Sequence, residues 1–135
     1  MFGGYSYLDA RVNKPFNSGT AATVSTTIPA GNKVGLVPQN LFSLWNKFDF
    51  QAGWAAGLGL IYQGSSYTSF NNMVKLPDFT RADGALFYTF ADGRTQLALN
   101  VENLFDRKYY PTADGDNNIS PGAPRKARVT LTMSF

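Results

Sequence analysis

The sequence contains no cysteine and no histidine. The first absence excludes disulfides and thiolate metal sites. The second removes the commonest general base and the commonest transition-metal ligand. Charge is also scarce: 16% of the 135 residues are Asp, Glu, Lys or Arg, against about 25% in an ordinary soluble domain. The net charge is +3, with the Lys and Arg residues scattered rather than gathered in a stripe, so no nucleic-acid partner is expected. No run of about 18 apolar residues is present, so no transmembrane helix is expected. Met1-Phe2-Gly3-Gly4 lacks a basic start followed by an apolar core, so no signal peptide is expected at this start. No Ser-His-Asp set can be drawn and no carboxylate pair stands out, which argues against an enzyme.

Aromatic residues, by contrast, make up 15% of the chain, while its mean hydropathy stays slightly negative. That combination suits strands that alternate an apolar residue facing lipid with a polar one facing water. Period two is clearest between Gln51 and Tyr67: Trp54, Ala56, Leu58, Leu60 and Tyr62 share one face, and Gly53, Ala55, Gly57, Gly59, Ile61 and Gln63 the other. The apolar row opens and closes on an aromatic, about 26 Å apart along a strand. With tilt this approaches the height of an outer-membrane apolar band between its aromatic girdles. Phe42, Leu44, Phe48 and Phe50 form a similar row interrupted by Asn46, although Leu41 and Trp45 fall on the otherwise polar side. Thr80, Ala82, Gly84, Leu86, Tyr88 and Phe90 form another, opposite Arg81, Asp83, Ala85 and Phe87. Leu97, Leu99 and Val101 oppose Gln96, Ala98, Asn100 and Glu102. In the last strand Ala127, Val129, Leu131, Met133 and Phe135 oppose Lys126, Arg128, Thr130, Thr132 and Ser134.

The pattern predicts an all-β chain of six strands in a curved antiparallel meander, at 3–13, 36–50, 52–67, 77–91, 94–105 and 123–135. The faces of the first strand are not assignable from its residues. Tight turns are expected at Asp49 to Gly53 and at Ala91-Asp92-Gly93, where Asp-Gly readily takes positive φ. The other connections, 14–35, 67–77 and 106–122, are long and rich in Gly, Ser, Thr, Asn and Asp. Short turns at one end and long loops at the other are the topology of outer-membrane barrels. Asp114, Asp116, Asn117 and Asn118 hint at a calcium loop, but the spacing lacks the later bidentate acid; a solvated loop is expected.

Asn100-Val101-Glu102-Asn103-Leu104-Phe105-Asp106-Arg107-Lys108-Tyr109-Tyr110 resembles the signature near the end of TonB-dependent receptors. Pro121-Gly122-Ala123-Pro124-Arg125 is similar to the element that starts their final strand, and residues 128–135 resemble that strand itself. Leu76-Pro77-Asp78-Phe79-Thr80-Arg81-Ala82-Asp83 and Val37-Pro38-Gln39-Asn40 look like elements of the siderophore-receptor branch.

The resemblance implies the C-terminal portion of a transmembrane barrel of roughly 22 strands, with the plug domain and earlier strands absent from residues 1–135. Six such strands cannot close in lipid, so the chain is expected to be a fragment, inactive alone, of a receptor in the bacterial outer membrane. That receptor would take up ferric-siderophore complexes with energy delivered through TonB. Its partners would be membrane lipid, a plug domain, TonB, the siderophore and the barrel-assembly machinery. No cofactor and no protein-held metal are expected, since iron arrives already chelated.

Arg81, Asp83, Gln96, Asn100, Glu102, Lys126 and Arg128 are expected to face the lumen. Trp54, Leu58, Leu60, Tyr62, Leu86, Tyr88, Leu97, Leu99 and Val101 are expected to face lipid. Val129, Leu131, Met133 and Phe135 would serve as the terminal assembly signal, while Tyr109 and Tyr110 are either local packing residues or contacts to an extracellular ligand. Two alternatives stay open. In a soluble small-ligand-binding β-barrel or half-barrel, the apolar row would turn inward onto a dry centre. In a structural or adhesion protein, several copies would complete one barrel.

Overall fold

The computed structural model describes residues 1–19 and 26–135, and among them there is no helix. The described strands are β1 (Phe2–Tyr7), β2 (Phe16–Ser18), β3 (Thr26–Ile28), β4 (Asn40–Asp49), β5 (Trp54–Gln63), β6 (Ser66–Tyr67), β7 (Lys75–Leu76), β8 (Phe79–Thr89), β9 (Thr95–Glu102), β10 (Thr112–Ala113), β11 (Ile119–Ser120) and β12 (Lys126–Met133). Six of them form one antiparallel sheet in the order β1-β4-β5-β8-β9-β12, a meander in which each long strand pairs with the next. The other six make three two-stranded ribbons inside the long connections. Part of the connection expected at 14–35 lies outside the described residues.

The sheet strands are shorter than the expected spans, mostly at the long-loop end: the strand expected at 3–13 ends at Tyr7, and four other shortenings have a local cause. The strand expected at 52–67 leaves the sheet after Gln63, because Ser66 and Tyr67 pair with Leu76 and Lys75 instead. The strand expected at 94–105 stops at Glu102, because Asn103 takes a left-handed φ of 52°. Leu36, at φ 59°, and Pro38 keep β4 from starting before Asn40. Pro124 acts in the same way ahead of β12. At the other end both tight turns form as expected. Phe50 N–H donates to the Trp54 carbonyl at 2.7 Å, with Ala52 and Gly53 at φ 62° and 79°. Asp92 Oδ1 accepts the N–H groups of Arg94 and Thr95 at 2.9 Å each, with Gly93 at φ 65°. The turns are neighbours: Thr89 N–H donates to the Gly53 carbonyl at 2.8 Å.

Register settles the faces of β1. Tyr5 pairs with Phe42 and Gly3 with Leu44, so Tyr5 and Tyr7 join the apolar row, while Phe2, Gly4 and Ser6 stand opposite Trp45, Ser43 and Leu41. A soluble domain buries one face of its sheet against a second layer. Here the buried side chains gather in the long connections, at Ile28, Leu76, Tyr109, Ala113, Ser66, Thr68 and Asn103, while the sheet strands contribute Ala55 and Ala82.

Candidate functional site

One face of the sheet is a continuous apolar surface. Register aligns Phe42, Tyr62 and Thr80; then Leu44, Leu60 and Ala82; then Phe48, Ala56, Leu86, Leu99 and Val129; then Trp54, Tyr88, Leu97 and Leu131. These side chains do not converge on a dry centre: Leu58, Leu99 and Leu131 are 47%, 37% and 57% exposed. This is the opposite of what an inward-facing half-barrel requires. At the tight-turn end the row finishes in an aromatic cluster, with Trp54 and Tyr88 at 4.7 Å and Tyr88 and Phe90 edge-on at 4.9 Å between ring centroids. At the loop end it finishes in Tyr5, Phe42 and Tyr62, with Tyr5 Oη donating to Asn40 Oδ1 at 2.8 Å. Apolar rows bounded by aromatics at both ends match hydrocarbon between two interfaces.

The opposite face carries Arg81, Asp83, Gln96, Asn100, Glu102, Lys126 and Arg128 together. A concavity of about 340 Å³ is lined by Trp45, Asp83, Asn100, Glu102, Lys126 and Arg128. Lys126 stands across from Glu102 and Arg128 across from Asn100. Trp45, the misfit of the alternation, lies over Gly57 and Gly59: a methyl group on either would approach its ring to 2.5 Å. The two missing side chains on β5 are therefore the space the indole occupies. Lys47 pairs with Asp49 at 3.3 Å and sits 5.5 Å from the Phe87 ring on the same face.

Where β9 leaves the sheet, connection 103–125 is clasped at its base. Asn103 is 2% exposed. Its N–H donates to Asp83 Oδ1 at 2.9 Å, its Nδ2 donates to the carbonyls of Arg107 (2.9 Å) and Ala123 (3.1 Å), and its Oδ1 accepts from Arg107 N–H at 3.0 Å. Asp106, at φ 51°, accepts Arg125 N–H at 2.8 Å. Asn and Asp are the non-glycine residues that best tolerate this backbone region, and here each also needs its side-chain oxygen. Both ends of the connection are thus tied by two residues of the Asn-Leu-Phe-Asp run. Asp83 also accepts Arg81 Nη2 at 2.8 Å, and Arg81 Nη1 donates to Tyr109 Oη at 3.2 Å.

Tyr109 is buried, its ring 4.6 Å from that of Phe79 and pressed on Gly122, whose N–H donates to the Tyr109 carbonyl at 2.7 Å. Of the two tyrosines weighed as ligand contacts, Tyr109 is therefore enclosed by packing, and only Tyr110 keeps an exposed surface. The expectation of a solvated loop at Asp114 to Asn118 is corrected at Asp116. That residue is half-buried and accepts hydrogen bonds from Thr68 Oγ1, from Ser69 Oγ at 2.8 Å and from Asn71 Nδ2 at 2.6 Å. These donors, Asn71 most and then Thr68 and Ser69, hold its carboxyl below the ordinary value of 3.8. Its partners lie 45 to 48 positions away, and nothing in the local spacing could have announced them. Val129, Leu131, Met133 and Phe135 are all exposed on edge strand β12 or just past it.

A family model described as "TonB dependent receptor-like, beta-barrel" matches residues 1–104. The metal-pseudopaline receptor CntO of Pseudomonas aeruginosa is 32% identical over the whole chain. The ferrichrome outer membrane transporter/phage receptor of Escherichia coli is 33% identical, also over the whole chain. The chain spans 18% of the length of each of these relatives. The crystal structure of the siderophore receptor PiuA from Acinetobacter baumannii superimposes with a TM-score of 0.88 at 25% identity, covering 97% of this chain and 19% of that one.

Proposed function

Because this chain belongs to the TonB-dependent receptor β-barrel family, we propose that it forms an arc of the wall of an outer-membrane receptor that takes up ferric-siderophore complexes. The observation that carries this reading is the exposed apolar face between two aromatic ends, backed by a face that holds Arg81, Asp83, Glu102, Lys126 and Arg128. The relatives, a ferrichrome transporter, a metal-pseudopaline receptor and a siderophore receptor, suggest the substrate class.

In this reading residues 1–135 are the C-terminal part of a barrel of roughly 22 strands. A plug domain fills the lumen and TonB delivers the energy. Edge strands β1 and β12 each continue into a neighbouring strand of the whole barrel, since an unpaired edge is not tolerated in lipid. Val129, Leu131, Met133 and Phe135 present an apolar alternation that the barrel-assembly machinery captures by strand addition. The arc performs no covalent chemistry and transports nothing by itself. Of Tyr109 and Tyr110, the exposed Tyr110 is the one that would touch an arriving ligand.

The test is uptake of radioactive iron by iron-starved cells whose sole siderophore receptor is the full-length protein. Accumulation from a ferric siderophore that stops when TonB is deleted supports the reading. Equal uptake with and without TonB, or none from any siderophore class while the protein sits correctly in the outer membrane, overturns it.

A further inference from the structure

Connection 103–125 is fastened at its base, as described above, and meets connection 64–78 at its far end. Among the described residues every hydrogen bond between these two connections ends on one group, the Asp116 carboxylate. All three donors come from the four-residue stretch Thr68 to Asn71. Asn71 is doubly committed, because its Oδ1 also accepts Met73 N–H at 2.8 Å and so braces the turn it stands on.

Connection 64–78 is joined in turn to connection 8–39. Asn72 Oδ1 accepts Lys33 N–H and Asn72 Nδ2 donates to the Lys33 carbonyl, both at 2.8 Å. Asn32 Nδ2 donates to the Phe70 carbonyl at 2.8 Å, and Leu36 N–H to the Tyr67 carbonyl at 2.7 Å. Gly35 lies so close to Ser69 that a methyl group there would meet its Cα at 2.9 Å. The Phe16 and Phe70 rings stand edge to face at 5.5 Å.

We propose that Asp116 is a latch that couples the three long connections at the loop end of the sheet, so that displacement of 103–125 is transmitted through 64–78 to residues 32–36. Loss of the carboxylate would leave the clasp of Asn103 and Asp106 intact and remove only the cross-connection. The mouth would then pass from joined to parted loops without unfolding either. The inference concerns the loops' mechanics and does not depend on which cargo the receptor carries.

Hydrogen exchange on the full-length receptor in lipid bilayers tests it. Asp116→Ala should speed exchange of the amides around Thr68 and Asn72 by about tenfold or more, since one hydrogen bond to a charged group is worth about a decade. The pair Thr68→Val and Asn71→Ala, which leaves Asp116 in place, should reciprocally speed exchange around Asp114. Amides of β5 and β9 should not change in either variant. If each variant loosens only its own connection, or if neither loosens the other's, the coupling is absent and the proposal fails.

Discussion

The N–H of Asn103 donates to Oδ1 of Asp83 at 2.9 Å, so connection 103–125 hangs from the wall strand β8 at the point where β9 ends. Asn103→Ala removes a buried amide that ties both ends of the connection, and leaves alanine at positive φ. The loss is expected to be about 3 kcal/mol, from the lost hydrogen bonds of a buried side chain and left-handed strain. Arg107 and Lys108 are exposed trypsin sites within the same connection. Cleavage there in the folded full-length receptor should accelerate strongly in the variant, while Asn103→Gly, which removes the strain but not the lost bonds, should be intermediate.

Filling the space under Trp45 should destabilise the wall. Gly57→Ala would set a methyl group 2.5 Å from the indole, and such overpacking costs about 1–3 kcal/mol. Urea unfolding of the full-length receptor in bilayers should show the loss. Combining it with Trp45→Ala should recover part of it, because the two residues contact each other and their effects do not add.

The two tryptophans report the two faces. Trp54 stands on the apolar row and Trp45 on the polar face. Brominated lipids should quench a fluorescence component that disappears in Trp54→Phe and persists in Trp45→Phe. Quenching that follows Trp45 instead would reverse the assignment of faces.

Acidity should loosen the rim before it affects the wall. The folded value of Asp116 lies below the ordinary 3.8 because Asn71, Thr68 and Ser69 donate to its charged form. A depressed value means that the latch contributes fully above the unfolded pKa and is lost as pH falls through the folded one. Exchange around Thr68, divided by the intrinsic amide rate at each pH, should therefore be flat above about pH 5 and rise below 3.8. In Asp116→Asn this rise should be missing.

Period-two alternation made the wall strands and the faces of all but the first of them legible, because a strand at a lipid–water boundary writes its environment into every second residue. Where alternation was weak, as in β1, only pairing with β4 could assign the faces. Trp45 looked like an error in the pattern because its explanation, Gly57 and Gly59, lies on the neighbouring strand. The ribbons formed by β2 and β3, β6 and β7, and β10 and β11 have only two or three residues per strand, too few for a period to register. The Asn-Leu-Phe-Asp run was legible as a motif, but its mechanical role depended on Ala123 and Arg125, which come together with it only in the fold.

Among the described residues, the side-chain hydrogen bonds that join the rim connections to one another are made by amide, hydroxyl and carboxylate groups, in a chain with neither sulfur pairs to reduce nor imidazoles to titrate between about pH 5 and 8. Its shape should thus be indifferent to thiols and mild acid in the surrounding fluid. A cell moving between such habitats would keep this part of its doorway in the same form throughout.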